Sequence, residues 1–423
     1  MSSGGHGGSH ASGPLPEELT VPGWRVALII ASFTFSLPGF LNGAQTGLAL
    51  GLHRAVLVAL LGGLILCAGA CLTAIISVRT RLTTYLLVQR SFGIRGAALV
   101  NIVIAIIHFC WFGVNVSFFG DAMVAAAHQG YGIPGDFGLF VIAGSVLITL
   151  STIYGFKTLD RLAMIAVPLV GLILVAVCVT AAGGAHPVDL APAKDPPAPM
   201  TFGIALSALV GANMLTVAAM PDLSRFIRSE RGAIGGMLLS FPFAAPLLML
   251  ISALIALATG QTDIMQLVVA MGFGAPALLM LLLSVWTINA LNLYSAGLSM
   301  AATFPAVRPW IFIVAGGAVG CTFALLGIID SFVPFLIALG LVIPPIAAIY
   351  VIDGFIRFGR AVGTEPPAPP PVRWPAIGVW LGSLAVTLPA ARMGVTLTSV
   401  PALDATILAA GSYALLLRLQ RNR

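Results

Sequence analysis

The chain has 423 residues, of which 59% are hydrophobic and 8% charged, with a formal net charge of +6. Soluble proteins carry roughly 25% charged residues, so this composition excludes a fully water-exposed surface and points to lipid as the solvent. The basic residues punctuate the chain between apolar blocks instead of gathering on one face, which excludes a nucleic-acid footprint.

The first twenty or so residues, rich in Gly and Ser, lack the basic-then-apolar order of a signal peptide. They read as a disordered cytoplasmic tail over 1–24. Apolar blocks follow at about 27–52, 56–78, 97–124, 137–154, 162–182, 203–222, 234–259, 266–304, 310–329, 331–353, 374–391 and 402–419. Spans of about 20 residues each cross a hydrocarbon core of about 30 Å, so the expected fold is all-α with twelve transmembrane helices. With the N-terminus inside, seventeen of the twenty Lys and Arg fall on inner segments. That asymmetry is what membrane topology imposes, and it puts both ends in the cytoplasm.

The five cysteines (Cys67, Cys71, Cys110, Cys178, Cys321) all lie inside apolar blocks and give no disulfide framework. Cys67 and Cys71 share a helix face. Without a nearby His or carboxylate they read as small packing residues rather than a metal pair. The Pro-rich stretch 361–375 reads as an extended cytoplasmic linker, separating a core over 25–360 from two accessory helices over 376–423.

Two spans carry internal punctuation. Span 1 has Pro38-Gly39 and Asn42-Gly43 near its middle; span 6 has Gly211, Asn213 and Pro221. Proline removes a helical donor, glycine lowers the cost of leaving helical geometry, and a membrane tolerates such breaks only beside protein or a wet cavity. Breaks five spans apart, in helices of opposite orientation, predict inverted repeats over about 25–183 and 200–360, with a transporter site between them. None of the acidic residues lies squarely mid-span: Asp121, Asp222 and Asp353 fall near span ends, and Asp222 and Arg225 read as a pair at a cytoplasmic end.

The stretches Arg81–Gly96, His108–Val116, Pro221–Arg228, Ser284–Leu298 and Ile343–Phe355 occur in an order that resembles the nucleobase–cation symporters of family 1, especially the cytosine permease branch. The resemblance covers most of residues 27–360. It implies a leucine-transporter-like 5+5 fold plus two helices in the cytoplasmic (inner) membrane, importing a nucleobase-sized ring with a cation.

It also implies substrate contacts from Trp111, which would stack on the ring, and from His108, Gly211, Ala212, Asn213, Asn289 and Ser36. A sodium site is implied between carbonyls near Ser32 and Phe35 and the side chains of Ser284 and Thr287. The chain departs from the family at several of these positions. His108 stands where glutamine is usual, Leu215 where serine is expected, Ile288 where a hydroxyl is common and Ser284 where asparagine is found. These departures open other rings, such as a hydantoin, allantoin or a thiamine-precursor pyrimidine, and proton coupling through His108. A membrane-embedded receptor or enzyme is the alternative of another class, but HExxH, CxxC and paired membrane carboxylates are all missing from the sequence.

Overall fold

The structure, a computed structural model, describes residues 15–34, 36–183, 188–197, 199–262, 274–358 and 369–421. Its helices are α1 (Gly23–Thr34), α2 (Leu37–Thr80), α3 (Thr84–Phe92), α4 (Ile94–Tyr131), α5 (Phe137–Ala182), α6 (Phe202–Ala218) and α7 (Met220–Ser224). They continue with α8 (Glu230–Thr259), α9 (Gly274–Thr303), α10 (Pro309–Leu325), α11 (Phe332–Asp353), α12 (Trp374–Arg392) and α13 (Pro401–Arg421). Among the described residues, six helices are long and apolar enough to cross a membrane by themselves. Among the described residues the sheet content is a single isolated bridge between Val21 and Ile227.

Several apolar blocks fuse. Helix α2 carries spans 1 and 2, divided at Gly51, whose φ of 76° only glycine adopts freely. The loop after α5 seals this corner: Leu52 N donates to Leu190 O at 3.0 Å and Ala193 N to Leu48 O at 2.8 Å. Helix α5 joins blocks 137–154 and 162–182 without a stop, although the sequence places a connection at Lys157–Arg161. Its 46 residues span about 69 Å, over twice the hydrocarbon thickness. Gly155 is the sole glycine in that stretch, and a lone glycine costs a helix only about 1 kcal/mol.

Both expected breaks exist, but each lies elsewhere than the glycines suggested. Span 1 breaks between α1 and α2; Ser36 caps α2, and its Oγ accepts from Gly39 N at 3.3 Å. Span 6 breaks at Ala219 (φ −89°, ψ 4°), between α6 and α7. Gly211, Ala212 and Asn213 are helical, so the broken segment expected there is corrected. Proline explains the shift. It fits the first turn of a helix but cannot continue one arriving from upstream, so each half-helix restarts with proline as its second residue. Side chains bond carbonyls at the second break: Tyr350 Oη donates to Ala218 O, and Ser77 Oγ donates to Pro221 O, which also accepts from Arg225 N, with both side-chain bonds at 2.8 Å.

Polar groups tie one end of the bundle together. Arg79 makes a bidentate pair with Glu230 at 2.9 Å for each bond, linking α2 to α8. The expected tail over 1–24 is ordered in its second half: Leu15 is buried, and Val21 N donates to Phe226 O at 2.6 Å. Both residues are apolar and find partners; residues 1–14 lie outside the described residues.

The linker also docks. Residues 361–368 lie outside the described residues, but Pro370 O and Pro371 O accept from Ile94 N and Arg95 N at 3.0 and 2.8 Å. At the foot of α11, fully buried Asp353 meets Tyr413 Oη at 3.0 Å, with Arg357 and Arg373 at 3.7 and 3.6 Å. Trp380 packs its edge on Phe92 and donates to Val342 O at 3.2 Å.

Candidate functional site

A cavity of about 610 Å³ runs along the bundle between α2, α4, α6, α8, α9 and α11. Helix α4 gives it one face at alternating three- and four-residue spacing: Asn101, Ile104, His108, Trp111 and Asn115. Helix α9 faces it with Ile288, Asn292, Ser295 and Ser299. The start of α2 brings Ser36, Pro38, Gly39 and Asn42, so the span 1 break opens directly onto the cavity. Helix α6 supplies Ala212 and Asn213, and Ala219 at its end puts the second break on the same wall. At one end of the cavity lie Thr83, Thr84, Tyr85 and Asp222.

Trp111 stands near the middle of α4, half-buried and facing the cavity. Phe335 and Phe332 of α11 brace its indole edge-to-face, at 5.4 and 6.5 Å between ring centroids. His108 lies one turn away, with Nδ1 3.2 Å from Asn292 Oδ1. Asn213 donates its amide N–H to Leu209 O at 3.0 Å, back along its own helix.

Five of the expected substrate contacts (Ser36, His108, Trp111, Ala212 and Asn213) therefore converge. Two do not. Gly211 turns away toward α11, where a Cβ would overlap Leu336 O; it permits a close helix crossing. Asn289 is fully buried beside the cavity, and its Nδ2 donates to Phe112 O at 3.4 Å, which joins α9 to α4. Asn292, one turn on, takes the facing position. Of the expected sodium ligands, Phe35 lies outside the described residues, and so do the side chains of Ser32 and Ser284. Thr287 is buried within α9.

Sequence reasoning missed Asn101, Asn115 and Asn292. Their signal was available: Asn101 and Asn115 fall seven before and seven after His108, on its helical face, and Asn292 opens a polar row with Ser295 and Ser299. Asp222 interacts electrostatically with Arg225, as expected, and it also faces the cavity, with its Oδ1 accepting from Thr84 N at 2.9 Å. Cys67 and Cys71 approach to 4.0 Å as free thiols. Among the described residues no cluster of three His, Cys, Asp or Glu could hold a metal.

Chemically, the arrangement offers a flat aromatic wall, hydrogen-bonding amides and two helix ends inside a largely apolar shell.

The family described as permease for cytosine/purines, uracil, thiamine, allantoin matches residues 16–364. The cytosine permease of Escherichia coli (strain K12) is 28% identical over 336 residues, covering 79% of this chain and 78% of that protein. The cytosine permease of Escherichia coli O157:H7 matches to the same extent. Among solved structures, inward-facing Mhp1 aligns with a TM-score of 0.79 at 17% identity, covering 97% of this chain and 95% of that one. Mhp1, a nucleobase-cation-symport-1 family transporter, closed with bromovinylhydantoin bound, aligns at 0.73 and 18% identity, covering 97% and 96%. A Na+-coupled sialic acid symporter aligns at 0.64 and 12% identity, covering 94% and 90%. At these identities the structural likeness establishes the fold.

Proposed function

We propose, for a chain that belongs to the family of permeases for cytosine/purines, uracil, thiamine and allantoin, that it imports a flat nitrogen heterocycle by cation-coupled alternating access. The observation that carries this reading is the meeting of Trp111, His108 and Asn213 in one cavity that also receives both helix breaks. A planar base offers a π-face, and stacking on an aromatic side chain contributes about 1–3 kcal/mol. The matched relatives are permeases, which sets aside the enzyme and receptor readings.

In this reading the chain makes twelve spans: α1 and α2 together supply two, α5 supplies two, the broken pair α6–α7 supplies one, and seven other helices supply one each. The halves over about 25–183 and 200–360 are inverted repeats, and residues 376–423 form the accessory pair. Both termini lie in the cytoplasm of an inner membrane. The cavity end at Thr83–Tyr85 and Asp222 then lies on the inner side.

Rocking of the broken helices against α4 and α9 would expose Trp111 to each side in turn. Coupling requires the ring and the ion to favour the same state, because a ligand shifts an equilibrium only by its differential affinity. Sodium between α1 and α9, held by the Ser32 and Phe35 carbonyls with Ser284 and Thr287, fits the family pattern. A proton carried by His108 is the second reading, supported by its contact with Asn292 inside the cavity.

The test is uptake of radiolabelled bases and related rings into proteoliposomes under imposed sodium or proton gradients. Accumulation that Trp111→Ala abolishes supports the proposal. No accumulation of any ring under either gradient ends it.

A further inference from the structure

The two accessory helices leave a groove between them. Helices α12 and α13 are joined by a short connection and run antiparallel. A cleft of about 410 Å³ lies between them, lined from Pro375 to Val386 on α12 and from Leu408 to Leu416 on α13. Glycine keeps its floor low. Gly378 and Gly382 line it one turn apart, and a Cβ at either would meet nothing within 4 Å. Leu381, Ile407 and Leu415 of the same two helices are exposed, so this side of the pair meets hydrocarbon.

Length and charge together indicate what fills the groove. From Pro375 to Val386 it follows eleven helical steps, about 16 Å. That is one leaflet, half of a hydrocarbon core of about 30 Å. A partner helix would cross both leaflets and need a matching surface along the whole of α12, whereas an acyl chain needs only this half. The Pro375 end, where α12 starts and α13 finishes, is basic. Arg373 precedes α12 there, and exposed Arg418 stands in the last turn of α13. Arg373 shares the single carboxylate of Asp353 with Arg357, which leaves a positive charge in excess. Trp374, 72% exposed, begins α12 at the same end, as indoles do at a membrane–water interface. The far end differs: Asp404 stands one turn before Leu408, and the next basic residue, Arg392, is six positions past Val386.

We propose that the α12–α13 groove holds one acyl chain of an anionic phospholipid from the leaflet at its basic end, with the phosphate set beside Arg373, Arg418 and the first turn of α12. Basic residues next to a span attract anionic headgroups, and here they sit at the mouth of a tail-length cleft. The lipid would brace the two helices that Asp353 ties to α11 through Arg373 and Tyr413, so it stabilises the folded chain. The site is separate from the central cavity and does not depend on which ring or ion is carried.

The experiment titrates the purified full-length chain, in uncharged detergent, with dioleoyl phosphatidylglycerol or dioleoyl phosphatidylcholine. Native mass spectrometry counts the retained lipid, and the unfolding midpoint is followed alongside. The expected result is one phosphatidylglycerol per chain, saturable and raising the midpoint, with the choline lipid bound more weakly. Gly378→Leu combined with Gly382→Leu fills the groove where nothing obstructs a Cβ, so this variant should fold and lose the lipid. Arg418→Gln should weaken binding by roughly fivefold. Retention of phosphatidylglycerol by the filled groove, or equal binding of the two lipids, would overturn the inference. So would a dimer that the double leucine variant loses, because a second copy would then occupy the groove. None of these outcomes touches the transporter reading, which ring uptake tests separately.

Discussion

Replacing Gly211 with alanine separates a packing glycine from one that loosens a helix. In the structure a Cβ at this position overlaps Leu336 O, falls 2.8 Å from Leu336 C and lies 3.1 Å from Gly340 N. All three are backbone atoms of α11, so no side chain can swing aside. Ordinary contact begins near 3.4 Å, so α6 and α11 must part by at least 0.6 Å on the 2.8 Å contact alone. Overpacking of this kind costs about 1–3 kcal/mol. Overlap with backbone atoms puts this site in the upper part of that range, about 2–3 kcal/mol, and alanine returns up to about 1 kcal/mol in helix propensity, leaving a net loss of about 1–3 kcal/mol. Gly235→Ala on α8, where a Cβ meets nothing within 4 Å, is the control and gains the propensity term alone. Thermal unfolding of both variants in detergent, followed by intrinsic fluorescence, gives the signs directly. Gly211→Ala should lower the midpoint and weaken ring binding, because Ala212 and Asn213 move with α6. A midpoint at or above wild type would refute the close α6–α11 crossing.

Three further outcomes are expected. Trp111→Ala should weaken ring binding by about 1–3 kcal/mol, roughly 5- to 150-fold, and a change within twofold would remove the indole from the site. Tyr350→Phe strands the Ala218 carbonyl at the end of α6 and should destabilise the protein by about 1–3 kcal/mol; an unchanged unfolding midpoint would mean another donor serves that oxygen. For the Arg79–Glu230 pair, partly exposed at 22% and 36%, a double-mutant cycle should give a coupling of only about 0.2–1 kcal/mol that shrinks with added salt. A coupling insensitive to salt would count against an exposed ion pair.

The bilayer made much of this fold legible before any coordinates. Helices must reach across hydrocarbon and satisfy their own backbones, so apolar block length reports helix length closely. Block 374–391 corresponds to Trp374–Arg392, and 331–353 to Phe332–Asp353. Blocks 137–154 and 162–182, expected to be separated at Lys157–Arg161, lie in one helix, α5.

The breaks were assigned to the right spans and the wrong residues. Glycine was weighted over proline, yet Ser36 and Ala219 each stand two residues before a proline that restarts the helix. Trp111 and His108 were named through the family resemblance, and both face the cavity. Asn289 was named through the family resemblance, and the residues alone did not point to Asn292, because a helix that is apolar on most sides hides which side is buried. Rotation about the axis is then set by neighbours, and only a second polar helix such as α4 resolves it.

Asp353 changes what the last two helices are. The proline tract invites a picture of a detachable appendage, yet this carboxylate draws Arg373 from the start of α12 and Tyr413 from the middle of α13. Cutting the chain ahead of residue 369 would strand a negative charge in a dry pocket with Arg357 as its remaining partner, and it would strip the cover from Phe92. Helices α12 and α13 act as a stopper wired into the transporter's foot, and a shortened chain should fail as a folded protein before it fails as a carrier.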